Sequence, residues 1–122
     1  MKILVVDDHK DSVDSLCHLL QAYGHETAGA YDGRQALDVV RQFEPDVAVL
    51  DIDMPVLDGY GTARAIRLAP SDRLPVLVAL TALGGHDARR QAFEAGFDAH
   101  VAKPARIAAL LELMEKLLRE RS

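Results

Sequence analysis

Two acidic stretches cut into otherwise apolar sequence. Lys2-Ile3-Leu4-Val5-Val6 runs straight into Asp7-Asp8, and Val47-Ala48-Val49-Leu50 runs into Asp51-Ile52-Asp53-Met54-Pro55. A carboxylate at the mouth of a hydrophobic strand is costly unless it is paired or bound to metal. Three carboxylates drawn together also repel one another, and a divalent cation relieves that repulsion. All-oxygen ligation suits Mg2+, which keeps several waters and takes one or two carboxylates together with phosphate oxygens. Such an ion could seat a phosphoryl group beside an aspartate, and an aspartate can act as a nucleophile through an acyl phosphate. Further along, Thr81 offers a hydroxyl donor and Lys103 a compact positive charge for phosphoryl oxygens.

Each piece also has an ordinary reading. Asp7-Asp8 could cap a helix, and Asp51 could be a solvated strand end. Met54-Pro55 and Asp58-Gly59 are turn chemistry when read alone. Thr81 could cap a loop, and Lys103 could be one more surface amine. The chemical reading therefore depends on a fold that brings these positions to one place.

The pattern of elements predicts such a fold. Lys2–Val6 is a continuous apolar run, as expected for a strand covered on both faces. Residues 12–23 place Val13, Leu16, Cys17 and Leu20 on one helical stripe, with Gly24 suited to a left-handed cap. A second strand is expected over Glu26–Tyr31. Asp32 then reads as the N-cap of a helix on Ala36, Leu37, Val40 and Phe43. Val47–Leu50 makes a third strand, 59–68 a weaker helix, Val76–Leu80 a fourth strand, and 86–95 a helix ended by Gly96. A short strand at Ala99–Val101 precedes Lys103-Pro104. The last helix, about 105–120, carries Ile107, Leu110, Leu111, Met114 and Leu118 on one face. Five strands alternating with five helices imply βαβ units and a parallel α/β sheet with helices on both sides. Open parallel sheets bind ligands beyond the carboxyl ends of their strands. Asp7-Asp8, Asp51, Thr81 and Lys103 all fall there, so four separated segments converge on one edge.

Composition narrows the class. The 122 residues are 49% hydrophobic and 27% charged, which fits a single domain, 1–122, with one hydrophobic core. A net charge of −5 argues against direct nucleic-acid binding, which needs a cationic footprint. One cysteine, Cys17, cannot close an internal disulfide, in keeping with a reducing, cytoplasmic setting. Its place on the apolar stripe suggests a buried structural thiol. The apolar runs fall short of the roughly 18 residues that span a bilayer, and the N-terminal run meets acids too early for a signal peptide. The five histidines show no zinc-site spacing.

Taken together, Asp7-Asp8, Asp51-x-x-Met54-Pro55-x-x-Asp58-Gly59, Thr81-Ala82 and Lys103-Pro104, in this order on a β/α frame, resemble a response-regulator receiver domain of two-component signalling. The resemblance spans the whole chain. It implies a flavodoxin-like (βα)5 fold with strand order 2-1-3-4-5. It also implies Asp51 as phosphoacceptor and metal ligand, Asp7 and Asp8 as the acidic pair that holds Mg2+ with it, and the backbone carbonyl of Asp53 as a further ligand. Thr81 and Lys103 would sense the phosphoryl group. His100 stands where the family often has a switch tyrosine or phenylalanine. Asp53 and Leu83 flank the site and would tune phosphoryl lifetime. The implied donor is a phosphohistidine of a sensor histidine kinase or histidine phosphotransfer domain. The response would be repacking of the α4-β5-α5 face toward a downstream protein target, by a monomer or weak homodimer. This is a transfer and binding module, with self-catalysed phosphorylation and dephosphorylation only, and not a turnover enzyme. Residues 95–104 look similar to receivers attached to hybrid sensor kinases.

Two rival readings remain open at this point. Asp51-Ile52-Asp53 also resembles the start of haloacid-dehalogenase-type phosphatases, although those carry further acids late in the chain. A degenerate receiver that binds a partner without phosphorylation is the other. Cognate kinase, stimulus and output target are not written in these residues.

Overall fold

The structure, a computed structural model, describes residues 1–52, 58–69, 74–82 and 86–121, with the side chains of 86–88 set aside. In chain order the elements are β1 (Lys2–Val6), α1 (Lys10–Ala22), β2 (Glu26–Ala30), α2 (Gly33–Phe43) and β3 (Val47–Asp51). They continue with α3 (Gly59–Leu68), β4 (Val76–Thr81), α4 (His86–Ala95), β5 (Ala99–Ala102) and α5 (Ile107–Arg121). All strand pairs are parallel, and the order across the sheet is β2-β1-β3-β4-β5. Both the alternating architecture and the strand order agree with the sequence-based expectation.

The apolar runs make sense once both sheet faces are covered. Leu4, Val6, Ala48, Leu50, Leu77 and Ala79 pack on one face with Ala36, Val40, Ala63, Ile66 and Ala92, so α2, α3 and α4 lie there. Ile3, Val5, Val47, Val49, Val76 and Val78 face the other way, against Val13, Cys17, Leu20, Leu110, Leu111 and Met114 of α1 and α5. A period-two strand buried on both sides reads as an unbroken hydrophobic string. The sheet's edges show the complement: β2 has only its last residue buried, and β5 has none.

Local signals placed several helix ends. The Asp32 side chain accepts the Gln35 N–H at 2.8 Å, as expected of an N-cap. Gly24 and Gly96 both have positive φ (89° and 104°). At Gly24 the Gly24 N–H bonds the Gln21 carbonyl and the His25 N–H bonds the Leu20 carbonyl, the paired bonds of a glycine-terminated helix. Cys17 is buried, and burial pushes its thiol up, with a hydrogen bond to Thr27 pulling the other way.

The chemistry sits at strand ends for a reason visible in the ladder. Three strands run one residue further than the sequence pattern predicts: β3 takes in Asp51, β4 takes in Thr81 and β5 takes in Ala102. Backbone pairing holds them, since the Ile52 N–H bonds the Leu80 carbonyl at 3.1 Å and the Lys103 N–H bonds the Thr81 carbonyl at 2.8 Å. Hydropathy ends where the strands meet water, whereas hydrogen bonding continues past it.

At the opposite edge of the sheet, Arg67 at the end of α3 ties three segments together. It donates to the Gly96 carbonyl at 2.8 Å, the Pro75 carbonyl at 3.3 Å and Asp98 Oδ2 at 2.6 Å. The same Asp98 oxygen accepts the Leu77 N–H at 2.8 Å. Because the Arg67–Asp98 pair is partly solvated, its ionic part is screened and most of the loss on truncation falls on the backbone bonds. Arg67→Ala is expected to cost roughly 2 kcal/mol, read as a lower urea midpoint with unchanged slope.

Candidate functional site

Register brings the acids level. Val6 pairs with Leu50, so the next residues, Asp7 and Asp51, leave their strands side by side. Asp51 in turn pairs with Leu80, and Thr81 with Ala102, which puts Lys103 one step beyond β5. All three strand-end groups Asp7, Asp51 and Thr81 are buried.

Lys103 is the centre of the arrangement. Its Nζ donates to Asp51 Oδ2 at 2.9 Å and stands 3.8 Å from Asp7 Oδ2. Asp7 and Asp51 are therefore no further apart than these two distances laid end to end. The peptide between Lys103 and Pro104 is cis. Asp51 is not a solvated strand end, being 3% exposed, and Lys103, although it lies at the surface, is paired with it.

Nor do Asp7 and Asp8 cap α1. The N-cap is His9, whose side chain makes no capping bond. Asp7 Oδ1 accepts the His9 N–H at 3.0 Å and lies 3.2 Å from His9 Nδ1. Asp8 Oδ1 is also 3.2 Å from that nitrogen, yet it is shut off from solvent and accepts no hydrogen bond among the described residues. The His9 imidazole is held more basic than usual, chiefly by its hydrogen bond to Asp7, then by the charges of Asp8 and Asp7. One ligand atom each from Asp7, Asp8 and His9 lies within 4.8 Å of the others. His9 is thus part of the acidic cluster, a placement that the spacing of the five histidines along the sequence did not indicate. The available signal was its contiguity with Asp7-Asp8 at a strand-to-helix turn.

The chemistry open to this cluster follows from its parts. A buried carboxylate with an amine on one oxygen can present the other as a nucleophile. A neighbouring acid pair with an orphaned, desolvated oxygen can take a small divalent cation. Asp58 does more than turn the chain, since it caps α3 by accepting the Gly61 N–H at 2.8 Å. His100 lies beside α4: with Arg89, Ala92 and Phe93 of that helix and Phe97 just beyond it, it lines a groove of about 220 Å3. Its Nε2 is buried without a hydrogen-bond partner among the described residues. Asp53, Met54, Pro55 and Leu83 lie outside the described residues.

Among the described residues no helix is long and apolar enough to cross a membrane. A family model described as "Response regulator receiver domain" matches residues 3–115. The transcriptional regulatory protein PrrA of Mycobacterium tuberculosis is 42% identical over 120 residues, covering 98% of this chain and 51% of that protein. The chain therefore spans about half the length of the curated relatives it matches. Two solved structures superpose closely. The Francisella response regulator 1452 receiver domain has a TM-score of 0.88 at 27% identity, covering 99% of this chain and 98% of that one. The Vibrio cholerae chemotaxis protein CheY4 has a TM-score of 0.87 at 28% identity, covering 94% and 96%.

Proposed function

The chain belongs to the response regulator receiver domain family, and on that premise we propose that Asp51 is the residue that carries the phosphoryl group. Membership makes it a phosphoacceptor signalling domain of a two-component system, partnered by a histidine kinase, and not a haloacid-dehalogenase phosphatase. One observation supports the assignment of residues above the rest: the Lys103 amine is shared between Asp51 and Asp7, so acids 44 positions apart form one buried charge cluster at the sheet edge.

In the proposed step an Asp51 carboxylate oxygen attacks phosphorus. The new O–P bond forms as the P–N bond to the donor imidazole breaks, and the electron pair leaves on that nitrogen. Lys103 holds Asp51 in place beforehand and moves its charge onto the phosphoryl oxygens afterwards, while the Thr81 hydroxyl donates to one of them. Asp7 and Asp8 fit a Mg2+ ion, because they offer oxygens only and Asp8 Oδ1 has no hydrogen bond to give up. Asp51 and the backbone carbonyl of Asp53 complete that proposed set. Bound there, Mg2+ supplies neutralisation of the phosphoryl charge. Residues 1–122 act as the receiver module. Their donor is a histidine kinase or phosphotransfer domain, and their output is the α4-β5-α5 face, with His100 and Thr81 as switch residues toward a protein target.

The test is direct. Incubation with Mg2+ and acetyl phosphate, or with a phosphohistidine donor, should label one residue, localised to Asp51 by mass spectrometry after borohydride reduction. An unlabelled but folded protein would favour the phosphorylation-independent binding module. Lys103→Ala separates sensing from metal binding. Removing the amine takes a competing charge from Asp7 and Asp51, so Mg2+ affinity should hold or rise by up to about fivefold. The NMR shifts that phosphorylation causes along β5 should shrink sharply. Equal losses of both properties would contradict the sensing role.

A further inference from the structure

One end of α4 is held far more firmly than the rest of the helix. Of its described side chains only Ala92 and Ala95 are buried, both in the second half, whereas Arg89, Arg90 and Gln91 are exposed. Each of the next three residues is tied down. The Gly96 N–H bonds the Phe93 carbonyl at 3.1 Å, and the Phe97 N–H bonds the Ala92 carbonyl at 3.0 Å. Phe97 is buried and meets Tyr60 of α3 edge to face, with 6.5 Å between ring centres. Asp98 is bound to β4 twice, its N–H to the Leu77 carbonyl at 2.7 Å and its carboxylate to the Leu77 N–H at 2.8 Å.

Arg67 gathers these ties from α3. Its guanidinium reaches the Gly96 carbonyl, the Pro75 carbonyl and the Asp98 carboxylate together, so one planar fork joins the ends of α3 and α4 to the starts of β4 and β5. The fit is close: a Cβ at Gly96, where φ is 104°, would stand 2.8 Å from Arg67 Cγ. A partly solvated ion pair alone is too weak to fix a helix, but here three acceptors share one donor group. A helix fastened at one end and lightly packed along its first half responds by rotating about the fastened end. Sliding it bodily would break every one of these bonds.

We propose that Arg67 is a positioning residue for the switch: its clasp makes residues 96–98 a fixed pivot, so that phosphorylation swings the first half of α4 and leaves the start of β5 in place. The inference rests on the reading of Asp51 as phosphoacceptor and of α4-β5-α5 as the responding face. Displacement then grows with distance from Gly96. Arg89 lies seven residues from it, about 10 Å along the helix, and Glu94 only two, about 3 Å. The groove that Arg89 shares with His100 and Asp98 therefore changes shape at its Arg89 side and keeps its Asp98 side.

Pulsed dipolar EPR tests the pivot, with one spin label at Asp38 of α2 and the other at Arg89 or Glu94, all exposed. The labels are carried by Asp38→Cys with Arg89→Cys or Glu94→Cys, in a Cys17→Ala background. Distances are compared with and without Mg2+ and beryllium fluoride, a phosphoryl mimic. Asp51 labelling by acetyl phosphate and circular dichroism are run on the same preparations. With Arg67 present, the Arg89 label should shift about three times as far as the Glu94 label. Arg67→Ala should bring that ratio close to one. Arg67→Lys keeps the charge, loses the fork and should do the same, which preserves the test should alanine not fold. Equal shifts at both positions with Arg67 present, or a ratio unchanged in a folded Arg67 variant, would overturn the proposal. So would the absence of any shift in protein whose Asp51 takes label. Absence of both label and shift in folded protein would remove the phosphoacceptor reading and the pivot with it.

Discussion

Asp51→Asn is expected to abolish phosphoryl uptake from both acetyl phosphate and a phosphohistidine donor. The amide oxygen lacks the carboxylate's negative charge and is a poor nucleophile at neutral pH, so no slow residual route at this position replaces it. Stability should change little. Counting carboxylates alone suggests a firmer fold after the substitution, because one of three repelling groups is gone. The structure tempers that expectation: Lys103 already neutralises Asp51 through a 2.9 Å hydrogen bond, so there is less repulsion to relieve. Asparagine keeps an oxygen that can accept from Lys103 but loses the charge assistance. The two effects oppose, and the net should lie within about 1 kcal/mol of wild type by urea unfolding. Residual labelling elsewhere, or a loss of several kcal/mol, would mean that Asp51 is a structural anchor and the acceptor is another residue.

Gly59→Ala should have the largest effect on folding of any single methyl group added near the site. A Cβ at this position would stand 2.6 Å from the Asp51 carbonyl oxygen and 2.6 Å from the Ile52 Cα. Both are backbone atoms and cannot swing aside as a side chain would. The Gly59 N–H also bonds the Ile52 carbonyl at 2.9 Å, so α3 starts in direct contact with the strand end that presents Asp51. Overpacking of this kind costs about 2 kcal/mol, which for a chain of this length lowers the melting temperature by about 10 °C. Because the displaced backbone is that of Asp51 and its neighbour, labelling should also slow by roughly tenfold or more. Thermal denaturation and labelling kinetics on the same preparation check both parts. Wild-type melting together with wild-type labelling would show that the helix start yields without moving the strand.

The motif Asp58-Gly59 shows what kind of information was in reach before the fold was known. Read locally it is a turn, and its two true functions, a side-chain cap on α3 and a close approach of two backbones, need a partner elsewhere in the chain. Asp58 follows a general capping habit and could have been inferred. The Gly59 contact could not, since nothing local says that Asp51 and Ile52 lie against it. Glu44 is a similar case: it ends α2 in the left-handed region at φ 51° without a glycine to announce it.

Order and type of the elements, the parallel sheet and the set of strand-end polar residues were all legible in the chain itself. These depend on periodicity, capping and turn residues, which act over a few positions. The remainder required the folded molecule. The Lys103 amine shared by Asp51 and Asp7, and Arg67 clasping Gly96 and Asp98, are contacts between side chains and distant segments. Their distances are set by how the strands register and the helices pack. Local preferences choose the elements; only the closed core, by excluding every other arrangement of them, chooses which charges meet.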